Sequence, residues 1–164
     1  MSSAGSRLRR VEEPDHERVL ELNARNVDSL APMGHDRLLA LEAIAHRFDV
    51  VEADGEFAGF VVTFAPGTSY DSENYRWFTE RYADRFYYLD RIVLLDRFRR
   101  RGLGTLVYDE LEQVATAYDR LTLEVNLEPR NDVSLAFHER RGYKEVGRLG
   151  GADKLVSLMQ KDLG

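Results

Sequence analysis

Asp96-Arg97-Phe98-Arg99-Arg100-Arg101-Gly102-Leu103-Gly104 stands between an apolar run, Phe86 to Leu95, and an amphipathic one, Leu103 to Tyr118. Glycines at a strand-to-helix junction let the backbone approach an anion closely, and the first turn of a helix offers amide N–H groups that lack intrahelical partners. Arg99, Arg100 and Arg101 add counter-charge, so the segment reads as a pyrophosphate cradle. Two other phosphate loops are excluded. A Walker A loop ends in Gly-Lys-Ser/Thr, and Gly104-Thr105-Leu106 has no lysine. A dinucleotide fingerprint needs a third glycine where Val107 stands, and no acidic ribose partner is evident. Taken alone, the loop also fits an ordinary turn with a solvated arginine run.

Outward from the loop, hydrophobic periodicity predicts the remaining elements. Toward the N-terminus, Phe86 to Leu95 is apolar on both faces, as a doubly covered central strand should be. Before it, Gly67 to Asp84 is a polar-aromatic insertion, read as a loop and a short helix capped at Asp71 or Ser72. Asp49–Ala53 and Phe57–Phe64 form strands joined by Asp54-Gly55, a tight hairpin dipeptide. Earlier still come a strand at Arg7–Val11, a helix beginning at Pro14-Asp15 with the stripe Val19, Leu20, Leu22 and Val27, and a helix from Asp36 to Phe48. The second helix is expected to turn Leu38, Leu39, Leu41 and Ile44 inward.

Toward the C-terminus, Leu103, Leu106, Val107, Leu111, Val114 and Tyr118 mark a helix. Leu121, Leu123, Val125 and Leu127 alternate with Thr122, Glu124, Asn126 and Glu128, which predicts a strand with one polar face. A helix over Asn131–Arg141 stops at Gly142, and strands at Tyr143–Leu149 and Lys154–Gln160 close the chain. The order predicts an α+β fold with a mixed sheet in a single domain, residues 7–164, after a loose N-terminus over residues 1–6.

Composition sets the outer bounds. At 164 residues the chain fits one domain against a norm of about 150. Its 43% hydrophobic and 32% charged residues suit a soluble globule. The excess of 29 acidic over 23 basic residues argues against a nucleic-acid or anionic-membrane partner. The absence of cysteine rules out a thiol nucleophile and thiolate metal sites. The other histidines, His16, His35 and His46, have no ligand spacing, so no metal is assigned. No apolar stretch approaches the roughly 20 residues that span a bilayer, so the expected location is cytoplasmic.

Two motifs carry a resemblance. Arg99-Arg100-Arg101-Gly102-Leu103-Gly104, preceded by Ile92-Val93-Leu94, is similar to the Arg/Gln-x-x-Gly-x-Gly/Ala loop of the GNAT superfamily of acyl-CoA-dependent N-acetyltransferases. Asn131 to Tyr143 is similar to that family's second motif, Asn-x-x-Ala/Ser…Phe/Leu-Tyr-x-x-x-Gly-Phe/Tyr. The element order agrees from about Arg7 to Gln160. The resemblance implies a GNAT-like, mostly antiparallel sheet with a splayed central strand pair and acetyl-CoA as cosubstrate. It further implies the pyrophosphate on Arg99, Arg100, Arg101, Gly102, Leu103, Gly104 and Thr105. A β-bulge at Val93, Leu94 and Leu95 would present backbone groups to pantetheine and an oxyanion-stabilising N–H, assigned to Leu94. Asn131, with Ser134 beside it, would meet the pantetheine arm, although Asn131 also reads as a plain helix cap.

His138 departs from the family pattern, which has a tyrosine there as acid toward the leaving thiolate. Asn131 and His138 lie seven residues apart on one helix face, so both should look into the cleft. An imidazolium could serve as the acid, and a structural or solvated histidine is the alternative. Asp90, between apolar neighbours on the central strand, is the candidate base, with an ion pair to Arg91 as its other reading. Glu124 and Asn126 on the next strand are further candidates. Tyr70, Asp71 and Glu73 in the insertion suggest an aromatic, acidic pocket for the acceptor amine. The expected activity is acetyl transfer to a small-molecule or peptide amine by direct attack in a ternary complex. A non-catalytic acyl-CoA-binding module is the alternative, and a homodimer through exposed C-terminal strands is open.

Overall fold

The computed structural model describes residues 5–27, 30–98 and 101–164. Alternating apolar runs pair into one seven-stranded sheet of order β1-β2-β3-β4-β5-β7-β6. The strands are β1 (Ser6–Arg10), β2 (Arg47–Ala53), β3 (Glu56–Phe64), β4 (Tyr87–Leu94), β5 (Arg120–Glu128), β6 (Lys144–Gly150) and β7 (Leu155–Asp162). The helices are α1 (His16–Ala24), α2 (His35–Ile44), α3 (Glu73–Tyr82), α4 (Leu103–Ala115) and α5 (Asp132–Arg140). Every pairing is antiparallel except β4 with β5.

Each face of the sheet buries its own core. On one, Val19 and Leu22 of α1, Leu38 and Leu41 of α2, and Tyr75 and Phe78 of α3 cover Phe48, Phe60, Val62 and Tyr88. On the other, Leu103, Val107 and Leu111 of α4 and Leu135 of α5 cover Val61, Leu89, Leu123 and Met159. This double cover explains why β3 and β4 read as continuous apolar runs.

The Asp54-Gly55 turn forms as expected, with φ of 53° and 80°, the paired positive values of a tight hairpin. Ser72 caps α3, its hydroxyl accepting from Tyr75 N at 3.2 Å. Gly142 follows α5 at φ 100°.

Several boundaries move. Ser6 pairs with Ala53 and Gly5 O accepts from Asp54 N, so the ordered chain starts before residue 7. Helix α1 ends at Ala24, and Val27 lies beyond it and exposed. Helix α2 ends at Ile44 because Phe48 pairs into β2, and Leu39 faces solvent. The face of β5 bearing Thr122 and Asn126 is buried, not solvated, because α3 packs across it. Strand β7 inserts between β5 and β6, so β6 alone forms the C-terminal edge.

Gly59 fixes how closely β3 and β4 approach. A Cβ there would lie 2.1 Å from Val93 O and 2.9 Å from Leu94 Cα. Gly59→Ala is expected to cost about 1–3 kcal/mol, read as a lower denaturant midpoint at unchanged slope. An unchanged midpoint would refute the tight approach.

Candidate functional site

The site begins where the sheet stops being continuous. Strands β4 and β5 pair only at Tyr87↔Leu121 and Tyr88↔Thr122. Past Tyr88 they diverge, while the other edge of β4 stays bonded to β3 as far as Leu95 N–H, which donates to Ala58 O at 2.8 Å. In an antiparallel ladder alternate residues turn their N–H and C=O toward the partner. Val93, opposite Phe60, shares the phase of Leu95 and belongs to the β3 ladder. The backbone groups of Ile92 and Leu94 therefore turn to the open side. Of the expected trio only Leu94 presents its N–H to the split, with Ile92 as an additional residue. The bulge is also displaced: Thr63 faces Leu89 and Val62 faces Arg91, so the extra residue is Asp90.

A cavity of about 340 Å³ occupies the split. Its walls bring together residues far apart in sequence: Arg37 of α2, Tyr70 and Asn74 of the insertion, Asp90 and Ile92 of β4, Glu124 and Asn126 of β5, and Asn131, Ser134 and His138 around α5.

Asp90 is committed to an ion pair. Arg91 Nε donates to it at 2.6 Å and Tyr70 Oη at 2.5 Å. The Arg91 guanidinium also reaches Asn23 Oδ1 at 2.9 Å and Ala31 O at 3.2 Å, tying β4 to α1 and the segment after it. The ion pair with Arg91, the other reading of Asp90 from the sequence, is the one this geometry shows.

Glu124 is placed differently. It lines the cavity, half-buried, and among the described residues no cation pairs with it. Tyr88 Oη donates to Glu124 Oε1 at 2.6 Å, and the Asn74 side chain bonds to it as well. Desolvation, with the charge of Asp90 adding to it, pushes the Glu124 carboxyl up to about 8 against the pull of those hydrogen bonds and of Arg91. The strand alternation marks Glu124 as polar, yet only the covering insertion makes it a high-pKa acid. Burial holds the Tyr88 phenol well above its usual range, so it remains a donor.

On the opposite wall His138 is buried and doubly bonded. Its Nδ1 lies 2.7 Å from Ser134 O, a pure acceptor, so Nδ1 carries the hydrogen. Nε2 then accepts from Tyr108 Oη at 2.7 Å. Desolvation pushes its pKa below the ordinary value. Burial and these two contacts fit the structural reading of His138 among the two that the sequence leaves open. The expected common face does form, since Asn131, Ser134 and His138 all line the cavity. Asn131 also caps α5, accepting from Ser134 N at 3.1 Å.

The cradle lies at the start of α4. Gly102 adopts φ 75°, and its carbonyl accepts from Leu106 N at 3.0 Å. A Cβ on Gly102 or Gly104 would meet nothing within 4 Å, so space is open beside the first turn of α4, whose leading amides lack intrahelical acceptors. No acidic residue stands in that first turn. The setting fits an anion. Arg101 sits beside it, paired with Asp54 at 2.9 Å over the Phe98 ring. Arg99 and Arg100 lie outside the described residues.

In the acceptor region, Tyr70 stacks on Phe64 at 4.1 Å and serves Asp90. Asp71 pairs with Arg37 at 2.7 Å. Glu73 is exposed and absent from the cavity wall, whereas its neighbour Asn74 lines it. Asn74, Arg37 and Tyr108 carry no sequence signal of a role. Tyr108 reads as one more aromatic of the α4 stripe.

The family model for the acetyltransferase (GNAT) family matches residues 12–143. The chain belongs to the GNAT acetyltransferases. Acetyl-CoA is the cosubstrate of this family, and the open first turn of α4 suits its pyrophosphate. Among solved structures, Ard1 from Thermoplasma volcanium is similar at 17% identity and TM-score 0.75, over 98% of this chain and 99% of that one. The GNAT-family acetyltransferase of Streptococcus pneumoniae is similar at 21% identity and TM-score 0.68, over 97% and 99%. So is yncA from Salmonella typhimurium, solved with its cofactor acetyl-CoA, at 15% identity and TM-score 0.69 over 98% and 95%. These likenesses establish a GNAT fold with a seven-stranded sheet and one parallel pair. The search among curated proteins finds no match. Among the described residues no helix is long and apolar enough to cross a membrane.

The Glu124 environment predicts a stability signature. The folded GNAT domain holds this proton up to about pH 8, whereas the ordinary value for the unfolded chain is 4.5. Between these values the folded state binds the extra proton, so this group makes stability fall as pH rises. Thermal melts of Glu124→Gln between pH 5 and 8 should lose that contribution, a slope of up to about 1.4 kcal/mol per pH unit. Parallel wild-type and variant curves would refute the raised pKa.

Proposed function

We propose that this chain transfers an acetyl group from acetyl-CoA to a primary amine by direct attack in a ternary complex, with Glu124 as the base. The observation that carries the reading is Glu124 itself: a carboxylate with a pKa of about 8, set in the split that also receives the Leu94 N–H. A base poised near working pH suits removal of a proton from an amine.

Each element of the site has a task in this reading. The amides of Leu103, Gly104 and Thr105 hold the pyrophosphate, with Arg101 nearby and Asn131 on the pantetheine side. Acetyl-CoA supplies an activated thioester. The N–H of Leu94, on the unpaired edge of β4, stabilises negative charge on the thioester oxygen as the amine adds. Glu124 accepts the amine proton, with Tyr88 and Asn74 fixing its carboxylate. On the other wall, with His138 neutral, Tyr108 is the hydroxyl available to protonate the departing thiolate, and His138 positions it. A module that only bound acyl-CoA would need the cradle but not Glu124. Holding a desolvated carboxylate costs stability, which favours the catalytic reading over the non-catalytic one.

Calorimetric titration with acetyl-CoA is expected to show binding that Gly102→Asp weakens at least tenfold. Aspartate tolerates both the left-handed conformation and a helix cap, so the fold survives while its charge opposes the pyrophosphate. In a thiol-release assay with primary amines, Glu124→Gln should lower kcat about 10²- to 10⁴-fold with acetyl-CoA affinity intact. The wild-type rate should rise with pH and level off above about 8. Full turnover by Glu124→Gln would sink the assignment of the base, and absence of acetyl-CoA binding would sink the activity.

A further inference from the structure

Beyond the reaction class, the charges around the cavity describe the acceptor. Among the described residues two carboxylates line it, Asp90 and Glu124, and three cations, Arg37, Arg91 and Lys154. Asp90 and Arg91 cancel in a pair whose side chains are 6% and 4% exposed. The remaining charges are separated in depth. Glu124 stands inside the split on β5, while Arg37 and Lys154 reach solvent. Arg37 lies in the first turn of α2 and Lys154 in the β6–β7 turn, and both line the cavity. Gly150 makes that turn at φ 118°, and Gly151 N–H donates to Lys154 O at 2.9 Å, so the backbone carrying Lys154 is held in place.

Arg37 is shared with Asp71, whose side chain is 67% exposed and only weakly holds the guanidinium in water. Lys154 has no ion-pair partner among the described residues. A ligand that is only cationic would be repelled by Lys154 at this entrance. A ligand with an amine at one end and an anion at the other would match both levels.

Resting on the acetyl-transfer reading, we propose that the acceptor is a free amino acid or similarly small amino carboxylate. Its amine is directed to Glu124, and its carboxylate is held at the mouth by Lys154 and Arg37. The cavity of about 340 Å³ must also admit the acetyl thioester, which leaves room for a small acceptor. The reaction balances within this arrangement: the amine nitrogen bonds the acetyl carbon, the carbon–sulfur bond breaks, one amine proton passes to Glu124, and the thiolate is protonated to CoA thiol. The carboxylate takes no part beyond binding.

The test compares free L-amino acids with their carboxamides, which keep the amine but lose the anion, in a thiol-release assay. The wild type is expected to favour the free acid by about tenfold or more in kcat/KM, mainly through KM. Lys154→Ala, an exposed substitution, should shrink that preference severalfold, mainly through a higher KM for the free acid. Lys154→Glu should abolish or reverse it. Equal use of acid and carboxamide by the wild type, or an undiminished preference in Lys154→Ala, overturns the proposal. Binding of acetyl-CoA with acetylation of neutral amines alone would leave the activity standing while this inference falls. Absence of both binding and turnover would remove the activity and the inference with it.

Discussion

The organising constraint is that β4 and β5 pair for two residues and then part. A parallel pair in the middle of a sheet normally satisfies backbone groups along its length. Here the outward groups of Ile92 and Leu94 lose their neighbour at the centre of the molecule. Two independently covered cores allow the sheet to split without collapsing. Each core, one per face, draws residues from both sides of the split, Phe60 with Leu158 on one face and Val61 with Met159 on the other, so the two halves stay joined where β4 and β5 part. The cost of unpaired backbone is confined to the one place where another molecule's polar groups can meet it.

The bulge at Asp90 follows from the same geometry. One extra residue in β4 rephases the strand and puts Asp90 and Arg91 next to each other at the wedge. Their ion pair fastens Tyr70 from the insertion and Asn23 and Ala31 from the α1 side. Burying such a pair is seldom a net gain over apolar packing, but it fixes where these three segments sit. Once Asp90 is neutralised, Glu124 is the carboxylate of the wall without a contacting cation.

Much of the fold was legible in the sequence because local rules and tertiary packing agree there. The hairpin at Asp54-Gly55, the cap at Ser72, the stop at Gly142 and the doubly apolar β4 each announce themselves through a turn residue or a period. The glycine loop was legible for the same reason, since Gly102 and Gly104 report a backbone requirement. What stayed hidden depends on partners distant in sequence. The displaced bulge at Asp90 is one such feature, which no periodicity reveals, whereas the ion pair with Arg91 is one of the two readings open from the sequence. The contact of His138 with Tyr108 stayed hidden because Tyr108 lies thirty residues upstream in a helix where an aromatic simply looks like core. Thr122 and Asn126 look like a solvated face until α3 is laid over them.

The strand order carries one consequence for assembly of the chain. Strand β7 lies between β5 and β6, yet it is the last strand to be synthesised. Until residues 155–162 emerge from the ribosome, β5 has no partner on its outer edge beyond the short contact with β4, and β6 has no place in the sheet. The wall bearing Glu124 therefore cannot be completed during synthesis of the N-terminal half. Ligand competence should arrive as a late event, through contacts of long sequence separation that make such topologies slow to close.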